Sequence, residues 1–514
     1  MEKIANKGFF WIWALIGLFI TILIWNLPWR FQVNDDEIMR LLASGAYTGK
    51  PESYAVFIHP ILSWTFSKLY LIAPHIEWYP ATWSLVNYCS FLVLLYVTEK
   101  GTNFQRFKVL LNLVLLGLLI HLSFFPQFTL IAGFAAVASL SLSSFTKSKF
   151  GFVTSLTFFL VALLIRWESV IICTFIAGTL LWLSKSSNKN VLVFKNLYFL
   201  VLAIFIISSK WIWEKTSEYK DFLEFNKSRS GVIDHPVFYQ NAKEELISKG
   251  DEWFFFSRWY FEVGQISTEK LKAKKVLLDK ELFTWDQFLN TFERIFEIQK
   301  KEAFKSFISL IIFGIFLFSD TKRKWWALLF FGLLFIGLNH FFLLYGRVTL
   351  LFFLCLLIPI LNKPTQLNNS RTLFGLHLIL VLGILFHFSN FLTEARGRKI
   401  MEDEMNLLIS QIPEDEPIFL EGYQEHMFLS KYNENNPTPF ISMGWISRSP
   451  FQKQALRRLG YENFEDITSY TLLSIQMDEP VVFPDYMESV ISGFNLYETV
   501  ESDNFVLSRF RKNQ

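Results

Sequence analysis

Charge is scarce in this chain. Asp, Glu, Lys and Arg make up 18% of its 514 residues, against about a quarter in soluble domains. The net charge of +3 is too small to imply a nucleic-acid partner. Cysteine is scarcer still. Cys89, Cys173 and Cys355 all lie in apolar runs and show no metal-site spacing, so a disulfide framework is not expected. Internal repeats and low-complexity stretches are missing, and the apolar runs are nearly free of charge, which speaks against a transporter.

What is abundant is apolar and aromatic: 52% of residues are hydrophobic and 58 are Phe. The apolar residues fall in eleven stretches, at 9–27, 81–98, 107–124, 128–145, 150–166, 169–184, 195–211, 304–319, 325–345, 348–361 and 372–392. Runs of roughly 15 to 22 residues suit a hydrocarbon layer of ~30 Å. The expected fold is mainly α, a polytopic membrane protein of about 11 transmembrane helices. The first run follows Lys3 and Lys7 as a signal peptide would, but it has no small-residue cleavage site and reads as a retained helix.

Lysine and arginine set the expected orientation. With the N-terminus in the cytoplasm, inner loops hold Lys100, Arg106, Lys108, Lys147, Lys149, Lys185, Lys189, Lys195, Lys322, Arg323, Lys324, Lys363 and Arg371. The short outer loops hold only Arg166 and Arg347, and the C-terminus falls outside. The membrane domain is then residues 1–392, with outer loops 28–80 and 212–303, and the tail 393–514 is a small extracytoplasmic α/β domain. In the tail, helices are expected at Glu394–Gln411 and Pro450–Leu459, and strands at Pro417–Leu420, Pro439–Met443, Val481–Phe483 and Asn504–Phe510.

Two adjacent carboxylates, Asp35 and Asp36, follow the first apolar run directly. Asn34 and Glu37 have capping-box spacing, and Ile38, Leu41 and Leu42 follow at helical spacing to a stop at Gly45. This predicts a short helix on the membrane surface, with a second at Pro60–Ile72 that carries Trp64 and Lys68. Acids at a helix start favour the positive dipole end whatever their function. Their chemical reading is that one accepts a proton from an acceptor hydroxyl while the other orients it or binds a metal.

At other outer turns, Arg166 and Glu168 flank Trp167, and Tyr345-Gly346-Arg347 precedes another apolar run. Guanidinium groups there suit a lipid-linked phosphate, or equally an Arg–Glu pair or lipid headgroups. Gln127 can cap a turn or bond a sugar hydroxyl. His59, His75 and Glu77 lack metal-ligand spacing, and His340 reads as a helix-packing group. Asp234 and Asp251 stand at turns, and Lys270, Lys272, Lys274 and Lys275 read as a solvated helix face.

The stretches 34–49, Pro126-Gln127-Phe128-Thr129 and Phe225-Asn226-Lys227-Ser228-Arg229, with the acid pair after the first helix, resemble the GT-C superfamily of membrane glycosyltransferases. The likeness covers residues 1–392. It implies sugar transfer from a polyprenyl-phosphate donor to a glycan or lipid acceptor on the outer face of a bacterial inner membrane, as in surface-polysaccharide assembly. It implies an acid of the first outer loop, Asp35 or Asp36, as general base. With the residues of the outer turns, the expected site adds Arg166, Glu168, Arg347, Gln127 and Tyr345 as substrate-binding residues. A divalent metal stays open as a cofactor. The alternatives are a polysaccharide polymerase or ligase, or a transporter or flippase of lipid-linked sugars.

Overall fold

A computed structural model describes residues 2–101, 104–183, 189–262, 266–319, 323–362, 370–422, 440–476 and 480–512. Lys185, Lys322, Lys363 and Pro439 lie outside the described residues. The first half is helical: α1 (Glu2–Trp25), α2 (Asn34–Ser44), α3 (Pro60–Ile72), α4 (Trp78–Gly101), α5 (Gln105–Phe124), α6 (Phe128–Phe145), α7 (Lys149–Leu183) and α8 (Lys189–Thr216). A polar segment follows, with α9 (Lys220–Ile233), α10 (Pro236–Lys243), α11 (Phe254–Ser257), α12 (Thr268–Glu281) and α13 (Trp285–Lys301). Then come α14 (Ala303–Leu317), α15 (Lys324–Phe341), α16 (Gly346–Cys355), α17 (Leu357–Asn362) and α18 (Ser370–Ile409). The tail holds β1 (Ile418–Glu421), α19 (Pro450–Arg458), β2 (Ser469–Ile475), α20 (Phe483–Val490), β3 (Phe494–Glu501) and β4 (Phe505–Lys512).

Among the described residues, eight helices are long and apolar enough to cross a membrane: α1, α4, α5, α6, α7, α8, α15 and α18. Shorter apolar helices cover Ala303–Leu317 and Gly346–Leu361. At 35 residues, α7 would span roughly 50 Å if straight, but it breaks at Arg166 (φ −156°, ψ 94°). The Ser139 hydroxyl of α6 donates to the Ser155 carbonyl of the first limb at 2.7 Å. Nearer the start of α6, the Gly133 carbonyl lies 4.0 Å from the Cys173 thiol of the second limb. Both limbs therefore run along α6, one antiparallel and one parallel, and the chain reverses at Arg166. The limbs match the two expected stretches 150–166 and 169–184. At the turn, the backbone N–H of His59 donates to the Leu164 carbonyl at 2.8 Å, tying the first polar segment to it.

That segment differs from its surface-lying expectation. In α2, Ile38, Met39, Leu42 and Ala43 are buried, as are Asp36, Glu37 and Arg40. Ile38 and Leu42 share one apolar cluster with Tyr47, Tyr54 and Phe222, and with Phe419, Trp445 and Phe451 of the tail. The helix is thus covered by protein on the side the sequence assigned to lipid. The capping box does not form either: α2 starts at Asn34 after Val33, and Glu37 instead pairs with Arg40 at 2.6 Å. By contrast α3 does expose Ile61, Trp64, Leu71 and Ile72.

The tail corrects several expected elements. The helix expected at Glu394–Gln411 is the end of α18, which runs unbroken for 40 residues from an apolar stretch into polar sequence. The strand expected at Val481–Phe483 is the start of α20 instead, with Pro484 in its first turn, where a missing N–H costs nothing. Around Phe440 there is a single bridge, to Ile418. The sheet has order β1-β2-β4-β3, with β1 and β2 parallel and the other pairs antiparallel. β2 and β3 had no sequence signal. β2 is buried on both faces and β3 is mostly exposed, so neither alternates.

In the bundle, Gly133 is a point of closest approach, where an added Cβ would run into the Leu351 side chain of α16. Gly133→Val is expected to overpack this contact and cost about 1–3 kcal/mol, read as a lowered unfolding temperature in detergent.

Candidate active site

The two acids after α1 have different surroundings. Asp36 is fully buried. Its Oδ1 accepts the Tyr79 hydroxyl at 2.9 Å, the Trp83 indole N–H at 3.2 Å and the Phe128 backbone N–H at 3.2 Å. Tyr79 and Trp83 belong to α4, and Phe128 is the first residue of α6, whose positive dipole end favours an acid. Burial pushes the Asp36 carboxyl well above the ordinary carboxylate range, against the pull of these donors. Its geometry ties three helices together.

One residue earlier on the same turn, Asp35 keeps 19% of its side chain exposed, and its Oδ2 lies 4.0 Å from an Arg347 guanidinium nitrogen. Burial raises its pKa from the usual carboxylate value. Arg347, Arg166 and Arg229 pull it back, and Asp234 adds to the rise. These groups come from separate parts of the chain: the start of α16, the turn of α7 and the end of α9.

Each arginine is held by aromatic faces. The Arg347 guanidinium lies 5.3 Å from the Tyr345 ring. That of Arg166 lies 5.5 Å from Phe57 and 5.2 Å from Phe128, and its Nε is 3.1 Å from a Glu168 oxygen. Phe57 follows Val56, a β-branched residue at φ 58°. That conformation is costly for valine. The Lys210 ammonium stabilises it by donating to the Val56 and Phe57 carbonyls at 3.2 and 3.1 Å.

Arg229 is the residue that reasoning from the sequence did not single out for the site, although the Phe225–Arg229 stretch contained it. It is buried, stacks 5.0 Å from Trp259 and 5.8 Å from Phe261, and donates from Nε to Asn226 at 2.9 Å. Its Nη1 is buried with no hydrogen-bond partner. Burial lowers its pKa, while Asp234 and Asp35 act against that. Besides that stretch, a signal was Asn226 and Arg229 three apart on one helical face.

The remaining candidates fall outside this constellation or at its edge. Gln127 caps α6 by accepting the Leu130 N–H at 2.8 Å, with its Nε2 buried and unpartnered. Tyr345 is adjacent through Arg347, and burial raises its pKa. His59 caps α3 by accepting the Ile61 N–H at 3.2 Å, and burial lowers its pKa to about 4. Glu77 pairs with Arg40 at 3.6 Å. Asp251 accepts the Trp253 N–H at 2.7 Å, and Asp234 accepts the Ser230 hydroxyl at 2.8 Å. Lys270, Lys272 and Lys275 pair with Glu252, Glu224 and Asp279. Among the described residues, no three His, Cys, Asp or Glu side chains gather so as to hold a metal ion.

The fold and the site together define a polytopic helical protein with a partly exposed carboxylate, Asp35, among three arginines, where an apolar bundle meets its polar segments. No protein-family model and no curated protein matches the chain. Among solved structures, the chain is similar to ArnT from Cupriavidus metallidurans bound to undecaprenyl phosphate, at 10% identity and TM-score 0.45 over 98% of both chains. The apo form of that ArnT gives 10% identity and TM-score 0.44, again over 98% of both.

The different surroundings of the two acids are testable by stability. Asp36→Ala leaves buried Tyr79, Trp83 and Phe128 donors unsatisfied and is expected to cost about 3 kcal/mol or more. Asp35→Asn, partly exposed, is expected to stay within about 0.5 kcal/mol of the parent, both read by thermal unfolding in detergent.

Proposed function

We propose that the protein is a membrane glycosyltransferase of GT-C type, which moves a sugar from a polyprenyl-phosphate donor to a glycan or lipid acceptor at the outer membrane face. The observation that carries this reading is Asp35, a partly exposed carboxylate with Arg166, Arg229 and Arg347 acting on it from three elements. A carboxylate with a raised pKa suits a proton acceptor near neutral pH. Guanidinium groups suit phosphate oxygens, which they bind in pairs.

In the reaction, the acceptor hydroxyl gives its proton to Asp35 as its oxygen attacks the anomeric carbon. The bond from that carbon to the phosphate oxygen breaks, and the electron pair leaves with the polyprenyl phosphate. Direct attack from the opposite side inverts the anomeric centre. Arg229, Arg347 and Arg166 offset the charge that grows on the leaving phosphate. The buried, unpartnered Nη1 of Arg229 suits an anionic ligand. Asp36 would act by orientation, holding the first turn of α2 so that Asp35 faces the arginines. The excess of lysine and arginine in the expected inner loops supports a cytoplasmic N-terminus and an outward-facing site. The three arginines around Asp35 also favour a second reading, a polysaccharide ligase that works without a carboxylate base.

The test uses purified protein in lipid and transfer of radiolabelled sugar from polyprenyl-phosphate donors. Asp35→Asn is expected to lower transfer by roughly 10²-fold or more with the fold intact. Full transfer by this variant, with loss in Arg229→Gln, would sink the base assignment and favour the ligase. The pH profile gives an independent check. Asp35 must be deprotonated to act, so activity should rise with pH through its raised pKa. Arg347→Gln removes the largest lowering influence, so the rise should move to higher pH.

A further inference from the structure

The aromatic residues of α13 stand on a face that the rest of the described protein leaves uncovered. Trp285, Leu289, Phe292 and Phe296 are 70%, 50%, 44% and 70% exposed. Their spacing, i, i+4, i+7 and i+11, puts them in one stripe along the helix. A second sector carries acids, with Asp286 and Glu293 exposed and Glu297 paired to Lys243 at 2.6 Å. A third sector is pinned to protein. The Arg294 guanidinium donates to the Asn339 carbonyl at 2.6 Å, and the Thr291 hydroxyl lies 3.0 Å from His340 Nδ1. The helix is thus divided into an apolar, a charged and a protein-bound side.

We propose that α13 is an interfacial helix, its aromatic stripe embedded in the headgroup–acyl boundary of the bilayer and its acids in water. Continuity identifies the occupant. α13 ends at Lys301, and the apolar helix α14 begins at Ala303, so the stripe leads directly to a bundle helix. Its pinned side binds the end of α15, where Phe341 and Phe342 are themselves exposed. Phe283, just before α13, meets Phe341 at 6.1 Å between ring centroids. The apolar surface is therefore continuous from α13 to the outer surface of the bundle, which in a membrane protein faces lipid. Lys300 and Lys301 sit where the helix meets the bundle, at headgroup level, as long basic side chains favour. Aromatic residues are enriched at this depth for the same reason of mixed polarity. The segment after α15 carries Tyr345 and leads into Arg347 at the start of α16, so an α13 anchored in the bilayer would fix the height of that end of the site above the lipid.

The experiment places a spin label at single positions of the full-length protein in vesicles of phosphatidylethanolamine and phosphatidylglycerol. Cys173 and Cys355 are buried, so only Cys89 is replaced. Labels go in by Leu289→Cys, Phe292→Cys and Phe296→Cys, with Asp286→Cys and Glu293→Cys as references on exposed positions. Collision rates with oxygen, which partitions into lipid, and with a water-soluble nickel chelate are compared. For insertion of ~5–10 Å, the oxygen-to-nickel ratio should be about tenfold higher at the stripe than at the acids. Equal access of the chelate to all five positions would overturn the proposal. So would a stripe shielded from both reagents, the result expected if a second copy or another protein covers it. None of these outcomes depends on sugar transfer.

Discussion

A carboxylate buried among three helices organises the region where the site forms. Asp36 accepts the Tyr79 and Trp83 donors of α4 and the first N–H of α6, so the start of α2 is fixed against two helices of the bundle. Breaking such a group costs more than the bonds contribute, because unpaired donors would stay buried. The next residue of α2, Glu37, pairs with Arg40 one turn on, and Arg40 also reaches Glu77, just before α4. The neighbouring Asp35 is then held toward Arg347 without itself being consumed by structural bonds.

Around this anchor, polar segments do more than connect helices. The first segment is the middle layer between bundle and tail. Tyr47 accepts the Ser442 N–H at 3.2 Å, and Arg458 donates to the Ala46 carbonyl at 3.2 Å. Arg448 reaches from the tail to the Phe261 and Ile266 carbonyls at 2.6 and 3.0 Å, next to the rings that stack on Arg229. The tail thus braces both segments that meet at the site. Among the described residues, three of the five non-glycine residues with positive φ, Val56, Trp259 and Arg448, lie in these places. Val56 precedes Phe57, which packs on Arg166, Trp259 itself stacks on Arg229, and Arg448 bonds the carbonyl of Phe261, which also packs on Arg229. The surrounding bonds stabilise conformations the residues would not choose alone.

Of the expected site, the acid pair and two arginines were legible because isolated charge in apolar sequence is conspicuous. Arg166 and Arg347 stood alone in short turns, and the chain reversal at Arg166 brings the first of them to the end of the bundle that holds Asp35. Arg229 was not legible, because it sits in a polar segment where arginine is ordinary. Its burial and its stacking on Trp259 and Phe261 depend on residues about thirty positions away in sequence. The unequal roles of Asp35 and Asp36 were also invisible, since adjacent identical residues differ only in direction around the helix.

The eleven apolar stretches and the mainly helical fold were set by composition and run length. A hydrocarbon layer demands ~20 apolar residues per crossing and backbone bonds made within each segment. Those requirements are local, so the sequence alone carries them. Local sequence does not say whether an amphipathic segment turns its apolar face to lipid or to protein. α2 and α13 are both amphipathic helices beside the bundle, yet α2 is covered by the tail while the stripe of α13 is left open. Tertiary structure decided this, because burial depends on which distant surface arrives to cover a face. The same holds for the site: its arginines converge on Asp35 only once three separated elements pack together.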